Sequence, residues 1–240
     1  MSKIYLIFIC LFVYSFNLYA ASIKDIIIYT DEDVPYVTVD EKGFINGGIT
    51  TTVIFKVLKK LNLPEKTIVK APWSRAYNDA TTMPNTIIYP IVKTKERMEK
   101  LDYLFKIIES TVYFYKLRSR SDIQVKKFDD AKKYKICVQR NDYRSDFLMA
   151  KGFTSLEAAT SSTLNVKKFV EGRCDLIVST EIGLQSKLKA IDFDYKNIQK
   201  ILPLKELDSA LYAAINKETD ANIKDQIKKA AASVISSRTK

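Results

Sequence analysis

The sequence predicts an α/β protein made of two lobes, and three features of its order along the chain support this prediction. Runs with the character of β-strands alternate with runs that have helical spacing, which is typical of a largely parallel sheet covered by helices on both faces. The alternation starts near residue 25, begins again near residue 112, and a strand and a helix follow at the end. Such a chain crosses between the lobes twice, and a hinged cleft of this kind commonly holds a ligand.

The first unit follows the pattern β-α-β-α-β. Its predicted strands are "DIIIYT" at 25–30, "KTIVKA" at 66–71 and "TIIYPI" at 86–91, and "WSRAYNDA" is predicted to be a short helix. The longer helix between the first two strands has apolar residues at helical spacing. These residues are Val53, Ile54, Val57, Leu58 and Leu61.

The second unit begins with "VYFYKLR" at 112–118 and has further strands in "YKICVQ" and "DLIVS". Its helices, in "SDFLMAKG" and "STLNVKKFVEG", are predicted to stop at Gly152 and Gly172, and Ser162 is the expected N-cap of the second. The carboxyl end adds the strand "ALYAAI" and a helix. One face of that helix carries Ile223, Ile227, Ala231 and Val234.

These elements predict a first lobe from residues 23–110 and 208–240 and a second lobe from residues 112–204. Residues 1–20 have the pattern of a secretory signal peptide: Lys3, a charge-free apolar run too short to span a bilayer, and then small residues. We therefore expect cleavage after residue 20 or 21 and a periplasmic protein. An uncleaved membrane anchor is the alternative.

Composition and motifs favour a binding protein over an enzyme. The formal net charge is +11, but the basic residues are interleaved with carboxylates, as in "DDAKKYK", so no nucleic-acid-binding stripe is expected. The chain contains no histidine, which excludes a Ser-His-Asp set, and it has no phosphate-binding or dinucleotide-binding loop. With no Cys-x-x-Cys spacing either, we expect no metal site and no cofactor.

Two cysteines, Cys137 and Cys174, remain after the predicted cleavage, and both begin apolar strands that could be neighbours in one parallel sheet. In an oxidising compartment such a pair permits one disulfide. Two buried free thiols are the alternative, because the sequence does not give the distance that a disulfide requires.

Several segments, in their order, resemble the extracytoplasmic solute-binding proteins of the amino-acid type, family 3, in a divergent branch. The segments are "YTDEDVPYVTVDEKGFINGG", "APWSRAYNDA", "PNTIIYPIVKTKERMEKLDYLF", "YKICVQRNDY" and "VEGRCDLIVS". The resemblance spans nearly the whole chain after the predicted signal peptide. It implies the two-lobed type II periplasmic-binding-protein fold, a monomer, a small ligand in the cleft and a membrane permease of an ABC importer as partner.

The most specific part of the resemblance is Thr94-Lys95-Glu96-Arg97, which is similar to the family's Thr-x-x-Arg motif. In that family the arginine binds the α-carboxylate of the ligand, and a guanidinium suits this role because its planar donors match a carboxylate bidentately. The alternatives are that Arg97 pairs with Glu96 or Glu99 on a helix surface and that Thr94 is a helix N-cap.

Five further residues of the first lobe are candidate ligand contacts. Asp31 and Tyr36 follow the first strand, Trp73 and Arg75 stand at a helix start, and Tyr89 ends a strand. The carboxyl ends of strands are where α/β sheets place ligands. A turn aspartate and packed aromatic residues are the structural alternatives.

The second lobe departs from the family pattern. "QRNDYRSD" replaces the usual Gly-Ser or Gly-Thr loop, so Asn141 and Tyr143 become candidate contacts. Val92 stands where the family often has a small or hydroxyl residue, and Thr180 stands where amino-acid binders usually carry an aspartate for the ligand's ammonium. We therefore expect a small carboxylate-bearing or otherwise anionic solute, with a weakened case for an ordinary α-amino acid.

Two other functions are compatible with the same fold. An interaction or sensory module that has lost its ligand would have a filled cleft, with bulky side chains such as Tyr143 inside it. A secreted dehydratase-type enzyme would need two desolvated carboxylates that converge near Arg97.

Overall fold

The structure is a computed structural model that describes residues 22–140 and 142–236. The predicted signal peptide and Asn141 therefore lie outside the described residues. The strands are β1 (Ile27–Thr30), β2 (Thr38–Val39), β3 (Ile45–Gly47), β4 (Ile68–Lys70), β5 (Thr86–Val92), β6 (Leu101–Ile108), β7 (Val112–Leu117), β8 (Ile136–Gln139), β9 (Leu156–Ala159), β10 (Leu176–Thr180), β11 (Ile198–Pro203) and β12 (Leu211–Asn216). The helices are α1 (Thr51–Lys60), α2 (Trp73–Thr82), α3 (Lys95–Lys100), α4 (Tyr143–Ala150), α5 (Ser162–Val170), α6 (Glu181–Lys189) and α7 (Ala221–Ser236).

The first lobe is built on a five-stranded sheet in the order β4-β1-β5-β12-β6. β4, β1 and β5 are parallel, as the β-α-β-α-β pattern predicts, whereas β12 runs antiparallel to both β5 and β6. Strand β6 was not predicted from the sequence. The first sheet is therefore mixed rather than parallel throughout.

Helices α1 and α7 cover one face of this sheet, and α2 covers the other. The predicted apolar positions of both longer helices are confirmed, because the side chains that they place at helical spacing are buried in one core. These buried residues are Val53, Ile54, Val57 and Leu58 of α1 and Ile223, Ile227, Ala231 and Val234 of α7. Full burial of such aliphatic side chains contributes about 1.5–3 kcal/mol each.

The second lobe contains a sheet in the order β11-β7-β10-β8-β9. β10 lies parallel to β8, with Leu176 opposite Ile136, so these two strands are neighbours as predicted. The structure adds β9, α6 and β11, to which the sequence analysis assigned no element. It also corrects the N-cap of α5: Ser161, not Ser162, accepts the N–H of Leu164.

A disulfide joins Cys137 on β8 to Cys174, just before β10, with their Cα atoms 5.5 Å apart. Of the two alternatives for these cysteines, the structure therefore has the bonded one. The bond lies in the second lobe among buried side chains that include Phe169 and Leu184.

The chain passes between the lobes at two places, from β6 to β7 and from β11 to β12. This is the double crossing that the sequence order predicts. Among the described residues, no helix combines the length and the apolar character needed to cross a bilayer.

Candidate functional site

A cleft of about 450 Å³ lies between the two lobes. Three strands end at it: Asp31 follows β1, Val92 ends β5 and Thr180 ends β10, and all three line the cleft. Parallel strands bring their carboxyl ends to one edge of a sheet, which is where open α/β sheets bind ligands. The cleft is the principal candidate for the functional site.

Arg97 enters the cleft from α3 of the first lobe. Thr94 caps this helix by accepting the Arg97 N–H at 3.3 Å, and the Arg97 Nη1 donates to the carbonyl oxygen of Val92 at 3.0 Å. The guanidinium carbon lies 5.5 Å from the ring centroid of Trp73 and 5.7 Å from that of Tyr77, distances at which a cation is attracted to an aromatic face. The backbone and two aromatic rings thus hold the guanidinium in place.

Arg97 differs from the other cations of the cleft in having no carboxylate partner within the described part of the chain. Lys187 pairs with Asp33 at 3.3 Å, and Arg144 pairs with Asp142 at 2.6 Å. Within residues 22–140 and 142–236, Arg97 forms no ion pair. The alternative pairing with Glu96 or Glu99 is therefore absent from the described structure.

The Asp142–Arg144 pair is the largest departure from the site that the sequence analysis expected. Asp142 caps α4 by accepting the Arg144 N–H, and it also accepts Nε at 2.6 Å and Nη2 at 2.8 Å in a bidentate pair. Burial by itself would raise the pKa of Asp142, but the charge and hydrogen bonds of Arg144 bring this pKa below its ordinary value. Both side chains are ionised, and each is the charge and hydrogen-bond partner of the other.

Two contacts join the lobes across the cleft. The hydroxyl of Tyr36, from the loop after β1, lies 2.7 Å from the Thr180 Oγ1. The Lys187 Nζ of α6 donates to Asp33 and to the carbonyl oxygen of Val34, both at 3.3 Å. Burial raises the pKa of Tyr36, so this residue stays a neutral phenol.

Thr180 and Asp31 line the cleft, but both also hold helix ends. Thr180 is the N-cap of α6 and accepts the N–H of Gly183 at 3.2 Å. Asp31 accepts the N–H of Trp73, at the start of α2, at 2.9 Å and the N–H of Glu32 at 2.8 Å. Asp31 therefore has the structural role of a turn aspartate, which was the alternative to ligand contact.

The aromatic candidates all line the cleft. Trp73 is 36% exposed and stacks on Tyr77 with ring centroids 6.1 Å apart. Tyr89 is fully buried and donates to Thr51 at 3.2 Å, and burial raises its pKa to about 12. Tyr143 lies beside Arg144 and lines the cleft without filling it.

Two predicted contacts lie away from the cleft lining. Arg75 is exposed on α2 and pairs with Asp79 at 3.6 Å, and Thr94 acts as the cap of α3. Asn141 lies outside the described residues, so its predicted contact stays a prediction. No group of three or more Cys, Asp or Glu side chains among the described residues could hold a metal ion.

Sequence reasoning missed a neutral polar group in the second lobe. Asn165 of α5 is only 6% exposed, lines the cleft, and its amide oxygen has no hydrogen-bond partner in the described structure. Gln139, Thr160 and Ser162 line the same side. The run "ATSST" before α5 was the available signal, of which the sequence prediction used only Ser162, as a helix N-cap.

Comparisons with known proteins identify solved structures that have the same fold. No protein-family model matches the chain, and no curated protein matches its sequence. Among solved structures, a histidine kinase sensor domain with similarity to periplasmic binding proteins matches with a TM-score of 0.72 and 14% identity, covering 90% of this chain and 92% of that one.

Two amino-acid-binding proteins are similar to the same extent. ArtJ of Geobacillus stearothermophilus, an arginine-, lysine- and histidine-binding protein, has a TM-score of 0.69 and 16% identity and covers 88% of this chain and 90% of its own. The arginine-binding protein ArgBP of T. maritima, in its holo form, has a TM-score of 0.67 and 15% identity, with coverage of 88% and 90%. The two-lobed fold of the periplasmic binding proteins, which the sequence resemblance implied, is confirmed.

Proposed function

We propose that this protein is an extracytoplasmic solute-binding protein of the family 3 type, which captures a small carboxylate-bearing solute between its lobes and delivers it to the permease of an ABC importer. A ligand that binds the closed lobes better than the open ones shifts the population toward the closed form, and the permease recognises that form. The neighbours described as amino-acid binders support the capture of a small solute.

The single observation that carries the proposal is the free guanidinium of Arg97. Only one of its five N–H bonds has an acceptor among the described residues, the carbonyl of Val92. A partly buried cation without an anionic partner is unfavourable, and a ligand carboxylate would supply two charge-assisted hydrogen bonds. Trp73 and Tyr77 hold the guanidinium from the protein side.

The test is a thermal-shift screen of the exported, purified protein against amino acids, small carboxylates, polyamines and peptides. It is repeated on Arg97→Ala and on Arg173→Ala, a matched control, because Arg173 is exposed in the second lobe and pairs with Glu171. We expect a carboxylate that stabilises the wild type and Arg173→Ala but not Arg97→Ala. Equal stabilisation of all three proteins would remove Arg97 from the site.

The predicted signal peptide and periplasmic location are part of the proposal. The measured mass of the exported chain is expected to be that of a protein cleaved after residue 20 or 21. The Cys137–Cys174 bond supports this location, because structural disulfides persist in oxidising compartments. A full-length chain recovered from the membrane fraction would favour the uncleaved anchor instead.

A sensory module is the second candidate, and one observation favours it. The solved structure that matches with a TM-score of 0.72 is a sensor domain of a histidine kinase. A sensor of this kind would bind its ligand in the same cleft and act on a membrane partner other than a permease. Co-purification of the ligand-bound protein with a permease or with a kinase separates the two candidates.

An enzyme receives less support from the cleft. Asp142 is held ionised by Arg144, so this carboxylate cannot donate a proton near neutral pH. Burial, and next the charge of Asp142, raise the pKa of Asp146, but Asp146 lies outside the cleft lining. The other carboxylates that line the cleft are held by protein donors: Asp31 by two backbone N–H groups, Glu32 by Lys70 and Asp33 by Lys187.

A further inference from the structure

We infer that the cleft takes a solute with one carboxylate and a neutral hydrogen-bonding group, such as a hydroxy acid or an N-acylated acid, and discriminates against free α-amino acids. The inference rests on the proposed function and adds the class of the solute. It depends on which charged and polar groups of the cleft are already paired.

Every carboxylate that lines the cleft in the described chain is already held by a protein donor. Asp142 is paired with Arg144 and Asp33 with Lys187, while Glu32 pairs with Lys70 at 3.3 Å. The remaining one, Asp31, accepts two backbone N–H groups at the start of α2, where the helix dipole also favours its charge.

An α-ammonium would therefore have to share a carboxylate that is already paired. Sharing Asp142 would weaken a bidentate pair and leave the half-buried Arg144 guanidinium poorly compensated, which is unfavourable. At the end of β10 the side chain is Thr180, a neutral hydroxyl already engaged with Tyr36 and with the Gly183 N–H. Among the described residues, the cleft thus offers one cation without an anionic partner, Arg97, and one carboxylate without a cationic partner, Asp31, whose two oxygens each accept a backbone N–H.

The opposite lobe offers a neutral group that does need a partner. The Asn165 side chain is buried, lines the cleft and has an unpaired amide oxygen. Buried amide groups are nearly always hydrogen-bonded, so this one favours a ligand that supplies the partner. An amide or hydroxyl group both donates and accepts, and it satisfies Asn165 in either orientation of the side-chain amide.

Asp146 is a carboxylate of α4 on which the charge of Arg97 acts, and it forms no ion pair among the described residues. Partial desolvation and then the charge of Asp142 raise its pKa, while the charge of Arg97 lowers it. It lies outside the residues that line the cleft. The test therefore includes Asp146→Asn, because this carboxylate has no ion-pair partner among the described residues and could attract an ammonium at the edge of the cleft.

The test uses the full chain, exported and purified, with matched probes that differ only at the α-substituent. The pairs are L-alanine and L-lactate, L-leucine and L-2-hydroxyisocaproate, L-phenylalanine and L-phenyllactate, and L-glutamine and N-acetyl-L-glutamine. We expect titration calorimetry to give at least tenfold tighter binding for the hydroxy or acyl member of the pair that fits the cleft. If the amino acid binds more tightly than its partner and this binding is lost in Arg97→Ala, the inference is overturned but the proposed function still holds.

Two variants test the two halves of the inference. Thr180→Asp is expected to raise the affinity for the amino acids at least tenfold over Thr180→Val, which also removes the hydroxyl but adds no charge. Asn165→Leu is expected to weaken the hydroxy or acyl acid about tenfold, and Asn165→Ser replaces it if the leucine variant does not fold.

Three results would contradict the inference. They are equal affinity of Thr180→Asp and Thr180→Val for the amino acids, unchanged binding in both Asn165 variants, and amino-acid binding that is lost in Asp146→Asn. If no probe binds the wild type, the proposed function fails together with the inference.

Discussion

Two arginines line the same cleft, and their surroundings give them different roles. Arg144, in the second lobe, is half-buried and is held by Asp142 through two side-chain hydrogen bonds. Arg97, in the first lobe, contacts one carbonyl and two aromatic rings and meets no carboxylate among the described residues. Under the proposed function, the cation with incomplete pairing binds the ligand, whereas the paired cation stabilises its own lobe.

The largest effect is expected from breaking the paired arginine. Asp142→Ala leaves the half-buried Arg144 guanidinium without its partner, and we expect a loss of about 3 kcal/mol of unfolding free energy, the lower end of the range for breaking a buried pair. Denaturant unfolding of the two proteins measures this difference. A loss below about 1 kcal/mol would show that solvent compensates Arg144 and that the two arginines are less different than the structure indicates.

The second prediction concerns the free arginine. Arg97→Ala is expected to reduce carboxylate affinity by about 2–5 kcal/mol, the range for removing one member of a desolvated charge pair, while the unfolding free energy changes little. Titration calorimetry and denaturant unfolding of the same preparation measure the two quantities. A large loss of stability together with a small loss of affinity would show that Arg97 stabilises the fold rather than binding the ligand.

Much of the fold is predictable because periodicity reports burial. The buried positions of α1 and α7 follow from their spacing, and the neighbouring strands β8 and β10 follow from the strand pattern. Strand β6 was missed for a physical reason. Its buried residues Leu101, Leu104 and Ile107 are three apart, because its pairing with β12 contains two irregularities in register.

The site was less predictable because its contacts join distant parts of the chain. The Thr-x-x-Arg motif identified Arg97 from local sequence. The bond between Tyr36 and Thr180 spans 144 positions, and no local pattern indicates it. Arg144 and Asp142 are only two residues apart, but their pairing depends on burial in the cleft, which the sequence does not display.

The third prediction adds pH to the comparison. Arg144 lowers the pKa of Asp142 in the folded protein below its unfolded value of about 3.9, so the pair stabilises the protein above that pH. This contribution is lost as the pH falls through the folded pKa. The stability difference between the wild type and Asp142→Asn should therefore be full at pH 7 and shrink below pH of about 4. A difference that does not change with pH would exclude the ion pair as its source.

A smaller effect is expected from the contact between the lobes. Tyr36→Phe removes the hydroxyl that meets Thr180 and keeps the ring, so the closed arrangement should lose about 1 kcal/mol. Small-angle scattering should show a larger radius of gyration, and the ligand should bind about fivefold more weakly. Unchanged scattering and affinity would mean that the Lys187–Asp33 contact is sufficient to join the lobes.

The smallest effect is expected for Arg75. Its pair with Asp79 is on the helix surface, where such pairs contribute about 0.3–0.5 kcal/mol. Arg75→Ala should change the unfolding free energy by no more than this amount. A loss of ligand affinity in this variant would restore Arg75 as the contact that the sequence predicted.

The most direct measurement is a calorimetric titration of the tightest-binding carboxylate from the screen into the wild type, Arg97→Ala and Arg173→Ala. The account predicts the same affinity for the wild type and Arg173→Ala and a loss of at least about thirtyfold for Arg97→Ala. The same affinity for all three proteins would contradict the central claim that Arg97 binds the ligand's carboxylate.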